Sequence, residues 1–228
     1  MLMANGSPAA ASNATSIIPL IVGYNGLFLI TYAHLADKSF LTGISAALGV
    51  WFFLTITTLK LGMNSFALSL ILYGFIFLFL VLRLRRKIIV DALPNKIIRF
   101  TAAQIGMRFI FSGSIIAIAI YLSKKSGPII GGVMSVFPIV FISTIIIAYL
   151  SAGKKFSISL TNSMMVSSMV NLVAYAVCVR FFYLWWGIAL GTYISILVSM
   201  GTAFAVHFAL RRLLKKIKAI QPAAGSTG

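Results

Sequence analysis

The chain has 228 residues, 61% of them apolar and only 9% charged, with a mean hydropathy of +1.06. Soluble domains run at roughly 45–50% apolar and 25% charged, so this composition excludes a water-soluble globule, and the missing period-2 alternation excludes an outer-membrane barrel. The net charge of +17 points to membrane orientation and anionic headgroups rather than to nucleic acid, because the basic residues lie in short loops and at the C-terminus with no aromatic-basic groove.

The expected fold is all-α, a polytopic transmembrane bundle of about seven helices. Residues 1–15 read as a disordered external tail: they hold no Lys or Arg, and therefore no basic region of a secretory signal, so the first helix is expected to remain as an anchor. Asn5 and Asn13 each open a glycosylation sequon in this tail. A three-helix front follows over 16–82, with helices at 16–34, 41–59 and 65–82. The first contains Gly23-Tyr24-Asn25-Gly26, a polar interruption in which Asn25 either bonds the next helix or joins a polar interior. The third is nearly unbroken Leu, Ile and Phe and should face lipid most. Residues 83–100 form a basic cytoplasmic loop in which Pro94 resists helix.

A four-helix core is expected over 101–210, with helices at 101–122, 127–150, 157–179 and 183–210, before a basic cytoplasmic tail at 211–228. The first core helix puts Gln104, Arg108 and Ser112 on one face. Arg108 is the one basic residue well inside a span, about 10 Å beyond Thr101 by helix rise. It either snorkels to cytoplasmic headgroups or meets a substrate. The second opens with Gly127, Pro128, Gly131, Gly132 and Ser135, small residues that let a neighbour approach, and Pro138 should kink it and free the carbonyl of Met134. The third carries Ser163, Ser167, Asn171 and Tyr175 on one face; the fourth carries a stripe of Gly187, Gly191, Ser195, Ser199, Ala203 and His207. Cys178, the single cysteine, permits no intrachain disulfide and reads as a small buried hydrophobe.

Arg108, Phe109 and Gly113, followed by the GPxxGGxxxxFP run from Gly127 to Pro138, resemble a family of small prokaryotic membrane proteins known only as a domain of unknown function. The resemblance covers about residues 104–210. It implies a four-helix core with an added three-helix front, and it brings no activity, cofactor or catalytic residue.

Loop charges orient the bundle, because topology follows Lys and Arg in short loops. With the 83–100 loop inside, fourteen cations are cytoplasmic: Lys38, Arg83, Arg85, Arg86, Lys87, Lys96, Arg99, Lys154, Lys155, Arg211, Arg212, Lys215, Lys216 and Lys218. Four lie outside, at Lys60, Lys124, Lys125 and Arg180. The N-terminus is then external and the C-terminus internal, in a multi-pass protein of the cell membrane.

There is no Glu, and Asp37 and Asp91 both fall in loops, so no carboxylate is available at depth for proton or cation coupling or for general-base chemistry. No nucleophile, metal or phosphate motif is present either, so no enzyme, cofactor or metal is expected. Two readings remain. One is a small permease for a neutral or anionic molecule, with Asn25, Arg108, Ser135, Pro138, Ser167, Asn171 and Ser195 as its polar seam. The other is a non-transporting membrane subunit or scaffold, whose glycines at 127, 131, 132, 187 and 191 pack against a partner or a second copy. Terminal reporter fusions should place the N-terminus outside and the C-terminus inside; both on one side would sink the seven-helix layout.

Overall fold

The structure is a computed structural model that describes residues 8–88 and 101–224, and every regular element among them is helical. In chain order these are α1 (Pro8–Ala14), α2 (Ile18–Leu35), α3 (Phe40–Lys60), α4 (Phe66–Ile88), α5 (Ala102–Ser126), α6 (Pro128–Ser135) and α7 (Ile139–Ala224). Six helical stretches among the described residues are long and apolar enough to cross a membrane, which marks a membrane-embedded chain.

Local chemistry sets several of the boundaries. Thr101 and Gln104 form a reciprocal capping box at the start of α5. Pro19 and Pro128 stand in the first turns of α2 and α6, where a missing N–H costs nothing. The N–H of Leu20, the third residue of α2, has no partner within its helix and donates instead to Ser69 Oγ of α4 at 2.9 Å.

Single glycines make the sharp joints of the second half. Gly127 (φ 90°, ψ 170°), Gly153 (φ 81°, ψ −180°) and Gly187 (φ 72°, ψ −180°) share a backbone region open essentially to glycine alone. The last two break α7 into limbs 139–152, 154–186 and 188–224. At Gly187 the chain reverses: Ser199 Oγ donates to Asn171 Oδ1, and Tyr183 pairs with Thr192, whereas residues 28 apart on a straight helix would be separated by about 42 Å. The 46-residue apolar stretch Met164–Ala209 is therefore folded back on itself. Its reversal falls at Gly187, not at residues 180–182 between the expected sixth and seventh helices.

Helix α2 is the hub. Within the 18-residue apolar window of Pro8–Leu35, 78% of the residues are buried, against 22%, 17% and 6% in the corresponding windows of α3, α4 and α5. It packs on α3, α4 and α7, with Phe28, Tyr32, Trp51, Leu80, Met165 and Met169 fully enclosed around it. Gly26 makes room for Leu80 and Met169: an added Cβ would stand 2.5 Å from each. Hydroxyls tie the hub at both levels. Tyr24 meets Thr58 at 2.7 Å and Tyr32 meets Ser157 at 2.8 Å. The two threonine and serine protons already go to Leu54 and Lys154 carbonyls, so the tyrosines are the donors.

Three expectations are corrected. The least enclosed span is α5, not the third helix of the front, because α4 lies along the hub while α5 is carried on α6 and α7. Part of the expected disordered tail is ordered: Pro8–Ala14 is helical, with Ser12, Ala14 and Thr15 buried; residues 1–7 lie outside the described part. The basic segments expected as a loop and a tail are partly helix, since α4 runs to Ile88 and α7 to Ala224; residues 89–100 and 225–228 lie outside the described part.

Alanine at Gly153 or Gly187 should destabilise the protein by about 1–3 kcal/mol, since neither position has a neighbour within 4 Å and the backbone alone is strained. Alanine at Gly74, inside α4 and facing open space, should stabilise by about 0.5–1 kcal/mol. Thermal denaturation in detergent separates the two directions.

Candidate functional site

Asn25 is 1% exposed on the hub, and both ends of its amide are engaged. Trp51 Nε1 of α3 donates to Oδ1 at 2.7 Å, and Nδ2 donates to the Val136 carbonyl at 2.9 Å. That carbonyl is free because α6 stops at Ser135, Val136 leaves helical geometry (φ −106°, ψ 15°), and α7 restarts at Ile139. Sequence reasoning put the freed acceptor at Met134. The turn corrects this, since the Phe137 N–H bonds the Met134 carbonyl at 3.2 Å. Trp51 also meets the Phe137 ring edge-on at 5.2 Å, so one indole both donates to the hub and covers the break. Pro138 is buried there.

Next to the break lies a cavity of about 360 Å³, between the α1–α2 junction, α6 and the reversal at Gly187. Thr15, Ser135, Tyr175, Tyr183 and Thr192 bring hydroxyls to its wall, and no charged side chain lines it. Thr15 donates to the Ser12 carbonyl, Ser135 to Gly132 and Thr192 to Ile188, at 2.6, 2.6 and 2.7 Å. Tyr183 must then donate to Thr192, across 2.5 Å. Those four oxygens offer lone pairs to the cavity, which suits a neutral ligand carrying donors.

Arg108 lies elsewhere. It is half-buried on α5, along a groove of about 270 Å³ between α5 and limb 139–152, with Gln104 one turn away and Phe111, Ile142 and Ile146 among its walls. Ser143, also in the wall, donates to the Val140 carbonyl.

The residues expected to form one polar seam are thus distributed over separate places. Ser135 reaches the hydroxyl-lined cavity, Arg108 the groove, and Asn25 neither. Asn171 bonds Ser199 across the Gly187 reversal. Ser195 is fully buried and donates to the Gly191 carbonyl of its own helix at 2.6 Å. Ser167 is half-buried and lines neither cavity.

The glycines also divide. Gly191 is a true close contact, an added Cβ standing 2.7 Å from the Tyr183 ring and 3.0 Å from the Phe182 backbone. Gly132 is tighter still, 2.0 Å from the Ala14 carbonyl oxygen, and Gly131 beside it is buried. Gly127 and Gly187, expected to pack, face open space and serve as joints instead. Among the described residues no three His, Cys, Asp or Glu side chains gather as a metal site would require.

Sequence reasoning missed Trp51, Val136 and Arg180. Arg180, expected in an external loop, clamps the N-terminal segment: Nη1 donates to the Ser12 carbonyl at 3.1 Å and to Ser16 Oγ at 3.3 Å, and the guanidinium lies 4.5 Å over the Phe66 ring. The available signal was the need of an indole N–H and a guanidinium for acceptors in a chain with only two acids.

Residues 105–213, just under half of the chain, are similar to a family described as Protein of unknown function (DUF3147). No curated protein and no solved structure matches the chain.

Asn25→Leu should leave the Val136 carbonyl and the Trp51 N–H without partners, at about 1–3 kcal/mol for each group. Asn171→Leu removes a half-buried interhelical bond and should cost nearer 0.6 kcal/mol, the average for such bonds in membranes. Thermal denaturation in detergent should rank them in that order.

Proposed function

We propose that this protein is a non-transporting, seven-pass subunit of the cell membrane, with its N-terminus outside and its C-terminus inside. It assembles with a second copy or a membrane partner through the outer faces of α5 and of the final limb of α7. The observation that carries this reading is the direction of the glycines. Gly106 and Gly113 of α5 and Gly201 of α7 point outward, and an added Cβ at each would meet nothing within 4 Å. In lipid, small residues gather where helices meet, because association there rests on close packing rather than on apolar burial.

The charge layout supports the orientation. Lys154, which donates to the Asp37 carbonyl at 2.6 Å, lies at the end of the hub where the sequence-based count puts fourteen cations. Arg180 clamps the opposite end, with the few. The polar side chains within the spans support a structural role, since Asn25, Asn171 and Ser195 engage partners inside the bundle. No catalytic constellation or cofactor enters this reading.

A permease is the second reading, favoured by one observation: the hydroxyl-lined cavity of about 360 Å³ abuts the break between α6 and α7. Its substrate would be neutral and donor-rich.

The mass of the protein in mild detergent, with wild type compared to Gly113→Leu, tests assembly. Leucine at this outward helix position should leave the protomer no less stable, as at Gly74, while dissociating the oligomer or its stoichiometric partner. A wild-type monomer with no stoichiometric partner sinks the subunit reading. Flux of a neutral polyol into proteoliposomes, abolished by Ser135→Leu, would favour the permease.

A further inference from the structure

The hydroxyl-lined cavity has walls from three parts of the chain: the α1–α2 junction, α6 and the two limbs of α7 that meet at Gly187. On limb 154–186 its lining residues are Leu172, Tyr175, Ala176, Val179 and Tyr183. Intervals of three and four residues place them along one face of the helix, over about 16 Å at 1.5 Å per residue. The cavity is therefore long rather than round. Ile18 and Val136 continue the apolar part of the wall, so most of what a ligand meets there is hydrocarbon. The volume of about 360 Å³ lies within the roughly 300–1,000 Å³ usual for small-molecule sites.

The polar part of the wall accepts hydrogen bonds and has none left to give. Thr15, Ser135 and Thr192 donate to the Ser12, Gly132 and Ile188 carbonyls, and Tyr183 donates to Thr192. Tyr175 pairs with Tyr183, whose proton is already committed, so Tyr175 is the donor of that pair. Each hydroxyl oxygen carries two lone pairs; every proton is used, while acceptor capacity remains. Ser135 is the exposed member of the set, whereas Thr15 and Tyr183 are buried.

Charge narrows the ligand further. No charged side chain lines the cavity, and Arg180, next in sequence to Val179, is turned to Ser12, Ser16 and the Phe66 ring. A carboxylate or phosphate would bring acceptors to acceptors, and an ammonium group would bury a charge with no counter-ion. An uncharged hydroxyl group meets both conditions, and an apolar body displaces water from the hydrocarbon wall.

We infer that this cavity binds one neutral alcohol with an elongated apolar body. The body lies along the Leu172–Tyr183 face of limb 154–186, and the hydroxyl donates to Ser135 Oγ. The site rests on the membrane embedding alone: a monomer that transports nothing would still hold the ligand.

Photolabelling of the full-length protein in liposomes, with octanol carrying a diazirine in its chain and peptide mass spectrometry to map the adducts, tests this without assembly or flux. Label should concentrate on cavity residues, Tyr175 foremost. Unlabelled octanol should protect them at a membrane concentration about tenfold below that needed with octyl methyl ether, which keeps the apolar body and lacks the donor. Tenfold is about 1.4 kcal/mol, the scale of one hydrogen bond. Ser135→Ala should bring the two competitors to within about twofold, and Leu172→Trp, which fills the apolar wall, should remove the protectable label. Label spread over outward residues such as Tyr193, with no protection by octanol, overturns the site. Equal protection by alcohol and ether in wild type overturns the hydroxyl half of the inference, and an unchanged tenfold preference in Ser135→Ala overturns the assignment to Ser135.

Discussion

Apolar burial selects no neighbours in a bilayer, because lipid tails are as apolar as leucine; packing, small residues and hydrogen bonds must choose them. That constraint explains why α2 is the centre. The apolar surface of α4 is as extensive, yet α4 is mostly exposed, and within its span the polar contribution to the core is little more than Ser69 and Tyr73. Helix α2 brings Tyr24, Asn25 and Tyr32, each paired with a different part of the bundle, and Gly23 and Gly26, which admit side chains of α4 and α7. The helix whose polar side chains pair with three different parts of the bundle is the one most completely surrounded.

The break between α6 and α7 follows from the same rule. A break in a helix inside a span leaves a backbone acceptor that lipid cannot satisfy. Here the acceptor is the Val136 carbonyl, and it is met by an amide 111 residues earlier in the chain, itself held by an indole. One hydrogen-bonded node thereby joins the front of the chain to its second half and makes the break a fixed element of the fold. Arg180 makes a second link of this kind at the far end, where a carbonyl, a hydroxyl and an aromatic face serve a cation in place of a carboxylate.

The two cavities differ in what they present. The hydroxyl-lined one offers acceptors and sits at the break, whereas the groove along α5 is apolar and opens to the side. They share no lining residue, so they are separate in space. Neither needs a carboxylate at depth, in keeping with a chain whose two acids lie outside the expected spans.

Composition and hydropathy determined the class of this protein and the position of most of its helices, because a run of about 20 apolar residues has few alternatives in a bilayer. The polar residues that matter were also legible: Asn25, Arg108, Asn171 and Pro138 stand out against their spans. Their pairings were not. Whether Asn25 faces a cavity or the Val136 carbonyl depends on which helix lies beside it, and no local pattern encodes that. The glycines show the same limit. Gly127, Gly187 and Gly191 look alike in a stripe of spacing four, yet two are turns with positive φ and one is a contact. Helical spacing describes one continuous helix, whereas the tertiary structure decided where the chain reverses, and with it which small residues end up between helices.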